Sequence, residues 1–373
     1  MLSYWDGPPN SEVMADWLEV CSDLGAYDFE PVVVPQKELI PTAGRLTATG
    51  DAPGIIIADN QHVPTLAEAG ALEPLDLDVL GLSAGDFQEG PFSAGTYEGD
   101  QYALPVGSNG EVIIYNTRML AEAGVEPPTS WQELTDAAAA LTTDDVYGWG
   151  TTLVAGETAT WNWLTALWSN GGDLTDLTSP EAIEAMEWYT SFVREGTSPE
   201  ATLGWDSTDL MGQFLDERIA MIQMGTWWLP TLIEDAEERG IEFGQTMQVS
   251  PDGSAPTVPF GGEVLALGLG LDQEARSVAN ECIGLWFEPE RHVEFSARQG
   301  YVPNYLPVQE EFLKDNPSLE TLATMLDNSR SRTAEVGSRY NALSAAIAAA
   351  LQEVAGGQRS AEEALAQAEE AAG

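Results

Sequence analysis

An α/β fold spread over two domains is what this chain predicts, and three observations predict it. Its 373 residues exceed what one ordinary core holds. Short apolar runs alternate with segments of helical periodicity for most of the length, the pattern of largely parallel sheets. Neither a flexible linker nor an internal repeat interrupts that alternation, so the chain is expected to cross between its domains more than once and to leave a cleft there.

Leu2-Ser3-Tyr4-Trp5 reads as a first strand, and Asn10 or Ser11 as the cap of a helix running to about Gly25. Phe29 to Val34 and Gly54 to Ala58 read as strands, the second an apolar run of the buried type, and Val63 to Ala71 as a helix. Glu111 to Tyr115 is β-rich. Pro127-Pro128 ends one element, and Ser130-Trp-Gln-Glu133 is a capping box that opens a helix through Leu141. Ser179-Pro180-Glu181 places a cap and then a proline at the first position of a helix to about Arg194. Ile219 to Met224 and Val264 to Leu269 read as compact strands, the latter after Gly261-Gly262, and Ser360-Ala-Glu-Glu363 caps a closing Ala-rich helix.

Charge narrows the partners. Against 61 Asp+Glu stand 14 Lys+Arg, of which Lys37 and Lys314 are the lysines, for a formal charge of −47. Such an excess repels nucleic acid and anionic membranes and disfavours anionic substrates, because phosphate binding needs clustered cations. It reads as a solvated acidic shell and points to a salt-adapted source. No apolar run reaches the roughly 18 residues of a membrane helix. No basic leader with an apolar stretch opens the chain, so an export signal, and with it a lipid anchor, is expected to have been removed upstream of Met1.

Cys21 and Cys282 each fall on the apolar stripe of a predicted helix: Val13, Met14, Trp17, Cys21 in one and Ala275, Ala279, Cys282, Trp286 in the other. Two packed thiols is the expectation, and a disulfide between them the alternative. With His62 and His292 the sole histidines and no CxxC or HExxH spacing, neither metal nor cofactor is expected. A GxSxG elbow, a P-loop and a GxGxxG after a strand are all missing; Ala266-Leu-Gly-Leu-Gly270 lacks the full glycine pattern. No catalysis is expected.

Aromatics and polar groups at predicted strand ends suggest a ligand instead. Trp227 follows the Ile219–Met224 run across Gly225, and Trp161 lies in a predicted helix where it would serve equally as core. An indole face suits the C–H face of a pyranose, while carboxylates and amides suit its hydroxyls, which both donate and accept. Polar candidates are Asp6 after the first strand, Asp59 and Gln61 after the third, Ser108 and Asn109 before the fourth, and Glu263 after the glycine pair. Gly262 would allow close ligand approach.

The order of segments resembles family 1 extracellular solute-binding proteins, the maltose-binding-protein-like group. The resemblance rests on Gly54-Ile-Ile-Ile-Ala-Asp59, Leu66 to Asp76, Tyr102-Ala-Leu-Pro105, Ile114-Tyr-Asn116 and Pro127 to Leu134. It continues through Trp168 to Asp173, Gly225-Thr-Trp227, Phe260-Gly-Gly262, Gly300-Tyr-Val-Pro303 and the closing Ala-rich helix. It implies a type II periplasmic-binding-protein fold: two lobes, a ligand cleft and three hinge crossings. With crossovers at Asn109 and Gly261, lobe one is expected to hold 1–109 and 262–308, and lobe two 110–261 and 309–373.

By position, the resemblance makes Trp227 and Trp161 stacking aromatics, and Tyr340 a further C-terminal aromatic. Asp59, Gln61 and Asn109 become hydroxyl-binding groups, with Trp5 in the first loop and Tyr301 in the Gly-Tyr-Val-Pro stretch. The implied function is an extracytoplasmic, monomeric carbohydrate-binding subunit of an ABC importer, partnered by membrane permease subunits. The first loop lacks a lysine and Asn109 stands in place of an acid, which points away from maltose itself. Glycerol-3-phosphate carriers share Gly-Tyr-Val-Pro, and Arg330, Arg332 and Arg339 cluster in sequence, so a phosphorylated ligand is the alternative. A glycoside hydrolase, needing two carboxyls about 5–10 Å apart, is the remote one.

Lowering salt lengthens the screening distance between like charges from about 3 Å at 1 M to about 10 Å at 0.1 M. The melting temperature is therefore expected to fall on desalting; a flat or rising value would refute the acidic-shell reading.

Overall fold

The computed structural model describes residues 1–24 and 29–372, so the Gly25 end expected for the first helix lies outside it. The chain groups into two compact units. One takes Met1–Asn109, Phe260–Glu320 and Ser331–Ser338; the other takes Gly110–Pro259, Thr321–Arg330 and the residues from Arg339 onward. These borders differ from the expected ones at three places: Phe260 and Gly261 group with the first unit, 309–320 does too, and 331–338 returns to it. The last two have local causes. Helix Leu306–Asp315 packs on helix Pro289–Gln299, and Arg332 is tied to Asp59.

In the first unit, strand Leu2–Ser3 runs parallel to Val32–Val33 on one side and to Ile55–Asp59 on the other. Glu263–Gly268 joins Ile55–Asp59 antiparallel, with Glu263 opposite Asp59. Ala103–Pro105 and Leu72–Glu73 pair antiparallel with the other edge of that strand. The sheet is thus mixed rather than largely parallel. A strand that re-enters from elsewhere in the chain needs no crossover helix, so nothing imposes the parallel direction. Side chains alternate across it: Ile56, Ala58, Val264 and Ala266 share a core with Leu2, Leu39, Val63 and Leu66. Ile55, Ile57 and Leu265 are buried on the opposite face, which is why the run reads as continuously apolar. The strand expected from Phe29 to Val34 shrinks to Val32–Val33, an edge with both side chains exposed.

Helices Asn10–Ser22 and Gln273–Trp286 pack against each other through the two stripes seen in the sequence. Trp17 meets Trp286 edge to face at 5.2 Å, and its Nε1 donates to the Cys282 carbonyl at 3.0 Å. That contact brings the Cys21 and Cys282 Cα atoms to 5.1 Å, and the sulfurs are bonded. The expectation of two packed thiols is therefore corrected: facing stripes placed the cysteines within bridging range.

In the second unit the sheet order is Phe243–Thr246, Glu111–Asn116, Ile219–Gly225, Tyr147–Gly150. The first two pairings are antiparallel and the last is parallel. Ile219–Gly225 is buried along its length, and its last residue, Gly225, pairs with Glu111. The caps form as the sequence indicates. Ser130 Oγ accepts from Glu133 N at 3.3 Å, Ser179 Oγ from Ala182 N at 3.3 Å, and Ser360 Oγ from Glu363 N at 3.3 Å. The Glu133 carboxylate turns to Thr129 N and Oγ1 instead of Ser130 N, shifting the reciprocal bond by one residue.

The disulfide joins positions 261 residues apart. Closing so long a loop restricts the unfolded chain, so Cys21→Ala with Cys282→Ala should cost roughly 2–4 kcal/mol. Thermal melts with and without reductant check this, and an unchanged melting temperature would contradict it.

Candidate functional site

In the first unit the polar candidates gather where strands Ile55–Asp59 and Glu263–Gly268 meet. Asp59 caps the turn Asn60–His62, accepting from Gln61 N at 3.3 Å, while Gln61 Nε2 donates to its other oxygen at 3.2 Å. Arg332 lays its guanidinium on the same carboxylate through both terminal nitrogens and reaches Asn60 Oδ1 at 3.2 Å. Arg332 is 1% exposed, so its charge is committed to Asp59.

Asp59 and Glu263 are direct cross-strand partners, which puts two acids on one face, an unfavourable pairing. The structure answers each differently. Asp59 receives the cation, and Glu263 receives hydroxyls, from Tyr4 at 2.8 Å and from Tyr301 at 2.6 Å. Burial raises the Glu263 carboxyl and the Asp59 charge adds to this, against the pull of the tyrosine hydroxyls. Burial likewise holds both phenols well above their usual range.

Ser108 and Asn109 pair through their backbones with Val302 and Gly261. Both are buried, yet Ser108 Oγ, Asn109 Oδ1 and Gln61 Oε1 have no hydrogen-bond partner among the described residues. Partnerless buried polar atoms occur elsewhere among the described residues, on Trp163 and Trp286 for instance, so these three are candidates through their position at the strand ends. Gly262 has a different task. Its φ is +121°, and a Cβ there would lie 2.1 Å from the Gly107 carbonyl oxygen, so the backbone itself demands glycine. Its carbonyl accepts from Asn60 N and Nδ2. Trp5 is packed in the aromatic core, 6.1 Å from Trp286, while Asp6 beside it is exposed.

In the second unit, Trp161 and Trp227 stack on each other with centroids 5.3 Å apart and planes 9° from parallel. This is an offset stack, one aromatic platform rather than two walls of a slot. Trp161 is buried and Trp227 half-buried. Tyr340 is fully buried, its hydroxyl donating to Glu157 Oε1 at 2.8 Å, which places it in the core. The arginines that adjoin in sequence are divided between the units: Arg332 belongs to the first, Arg330 and Arg339 to the second. Arg330 is held by Asp173 at 2.8 Å and lies over the Trp168 ring.

Residues 25–321 match the family described as bacterial extracellular solute-binding protein. The chain belongs to that family. Among its relatives, the sn-glycerol-3-phosphate-binding periplasmic protein UgpB of Escherichia coli is 25% identical over 310 residues, 75% of this chain and 69% of UgpB. Two solved structures superpose over 100% of the chain. One is the cyclic α-maltosyl-1,6-maltose binding protein of Arthrobacter globiformis, with 96% of that chain covered, 25% identity and a TM-score of 0.80. The other is T. maritima MalE3 with maltose bound, with 98% covered, 19% identity and a TM-score of 0.88. The fold is thus the mixed α/β, two-lobed fold of maltose-binding-protein-like solute-binding proteins. Family and structural neighbours are binding proteins, not enzymes.

Sequence reasoning passed over two groups in this solute-binding protein. Tyr4 was read merely as strand, and Glu111 merely as the start of another. The signal for Tyr4 was its period-two partnership with the strand-end residue Asp6; for Glu111 it was an acid opening an otherwise apolar strand.

Removing the Asp59 charge leaves Arg332 buried without its counter-ion. Asp59→Asn should therefore cost on the order of 3 kcal/mol, and adding Arg332→Met should recover part of that. A melt of the double variant no higher than that of the single one would overturn the pairing as the source of the cost.

Proposed function

We propose that this chain captures a neutral carbohydrate outside the cytoplasm and delivers it to the permease of an ABC importer, with no reaction of its own. The observation that carries this reading is the Trp161–Trp227 platform of the second unit, its rings stacked at 5.3 Å, in the same unit as the partnerless polar atoms Glu111 Oε2 and Thr226 Oγ1. An indole face selects a flat C–H surface, and groups able to donate and accept select hydroxyls. Together they favour a polyhydroxylated ring over either a greasy or a purely ionic ligand. In the first unit Ser108, Asn109 and Gln61 are proposed to supply further contacts, with Asp59, Glu263 and Tyr301 shaping them.

The disulfide supports an oxidising, extracytoplasmic compartment. No helix among the described residues is long and apolar enough to cross a membrane. A lipid anchor, a monomeric state and a salt-adapted source remain part of the proposal. The second reading, a glycerol-phosphate-type ligand, is favoured by the likeness to UgpB. Against it stand the net charge of −47 and the engagement of Arg330 and Arg332 by Asp173 and Asp59.

Thermal shift against glucose, maltose, maltotriose and sn-glycerol 3-phosphate separates the two readings, since a ligand at 100 times its Kd adds about 2.7 kcal/mol. A saccharide shift with none from the phosphate is expected; the reverse would favour the second reading. Aryl glycosides should release no product. Trp227→Ala should cost on the order of 2 kcal/mol or more in saccharide binding, as central aromatics usually do, with a smaller effect on folding. Normal binding with much earlier melting would make Trp227 a core residue and displace the site.

A further inference from the structure

Glu111 opens strand Glu111–Asn116 and is 7% exposed. Its cross-strand partner is Gly225, and directly paired residues project to the same face. A Cβ on Gly225 would meet the Trp227 ring at 2.2 Å, so that ring fills the place beside the Glu111 side chain. From helix Glu157–Ser169, the Asn162 amide nitrogen, turned to satisfy both acceptors, donates to Glu111 Oε1 at 3.2 Å and to the Thr158 carbonyl at 3.1 Å. Glu111 Oε2 has no partner among the described residues. Nor has the hydroxyl of fully buried Thr226, whose backbone N–H is bonded to the carbonyl of neighbouring Gly110 at 2.9 Å.

We propose that Glu111 is a ligand-contacting residue that acts as a neutral carboxylic acid, its Oε2 being the polar partner of the Trp161–Trp227 platform, and that its ionisation weakens binding. This rests on the carbohydrate reading of the same site. A protonated carboxyl donates and accepts, as a sugar hydroxyl does, whereas a carboxylate only accepts. A bare carboxylate beside an indole is also costly to hold away from water. Among the described residues no cation is paired with it. Helix Pro180–Arg194 presents Tyr189, whose hydroxyl is bonded to Thr151 and Gln223, each at 2.8 Å. Glu157, on the helix of Asn162, is taken by Tyr340 and Ser344. Burial alone pushes the Glu111 carboxyl up to about 8, and burial holds the Tyr189 phenol higher still. Above that midpoint the proton passes to solvent and the donor is lost.

Two measurements test this on the whole chain. The first needs no ligand: tryptophan emission is followed from pH 6 to 10 for the wild type and Glu111→Gln, which keeps a donor and an acceptor but cannot titrate. A transition near pH 8 in the wild type and not in the variant is expected; its absence from the wild type, or its survival in the variant, overturns the proposal. The second follows, over the same range, the affinity for whichever of glucose, maltose and maltotriose gives the largest thermal shift. The wild type should lose about tenfold per pH unit above the midpoint, and Glu111→Gln should flatten the profile. Equal profiles for the two proteins overturn a contact role. Should the wild type bind none of glucose, maltose and maltotriose at any pH, the saccharide reading fails and the contact role of Glu111 with it, while a persisting emission transition still assigns the titration to Glu111.

Discussion

The antiparallel pairing of Ile55–Asp59 with Glu263–Gly268 is the constraint on which the first unit depends. It stitches residues near the start of the chain to residues more than two hundred positions later, and the whole second sheet is formed by the segment in between. Because the pairing is in register at Asp59 and Glu263, it forces two acids together. A one-residue slip of Glu263–Gly268 would turn Glu263 to the opposite face and move Val264 and Ala266 with it. The burial of Ile56, Ala58, Val264 and Ala266 forbids that slip, so the chain keeps its awkward pair and spends an arginine and two tyrosines on it.

The second unit solves a related problem with a glycine. Strand Ile219–Gly225 ends where Trp227 folds back over its last residue, and any side chain at Gly225 would collide with the ring. The absent Cβ lets the indole reach Trp161 and lie beside Glu111 at once. Position in the ladder, rather than aromatic content, is therefore what turns two of the twelve tryptophans into a platform. Trp5, Trp17 and Trp286, with the same chemistry, are core because the stripe that carries them faces another helix.

Much of this was legible in the sequence where short-range physics decides. The caps at Ser130, Ser179 and Ser360, the buried strand before Asp59 and the strand-to-helix turn at Gly225 follow from local patterns. What was not legible depends on who faces whom. The stripes holding Cys21 and Cys282 were visible, but nothing in either stripe said they would meet. Arg332 looked like one of three arginines near each other in sequence, whereas the chain sends Arg332 to Asp59 and Arg330 to Asp173. Tyr340 and Trp5 sat at positions the family resemblance favours, yet tertiary packing buries both.

Three acids, the half-buried Asp59 and the buried Glu263 and Glu111, show how so acidic a chain handles charge away from water. A cation for every buried carboxylate is not available when 61 acids share 14 basic residues. Asp59 receives Arg332, Glu263 receives two phenolic hydroxyls, and Glu111 is left with an amide and, on the proposal above, its own proton. The cheapest of these arrangements in charged residues is also the one that leaves a donor free. An anionic ligand would meet that donor in the field of a chain of formal charge −47, with no cation paired to Glu111 among the described residues. A neutral hydroxylated ligand asks for no countercharge, and it takes the donor and returns an acceptor. Scarcity of cations on the surface and neutrality of the ligand are on this view two sides of one constraint.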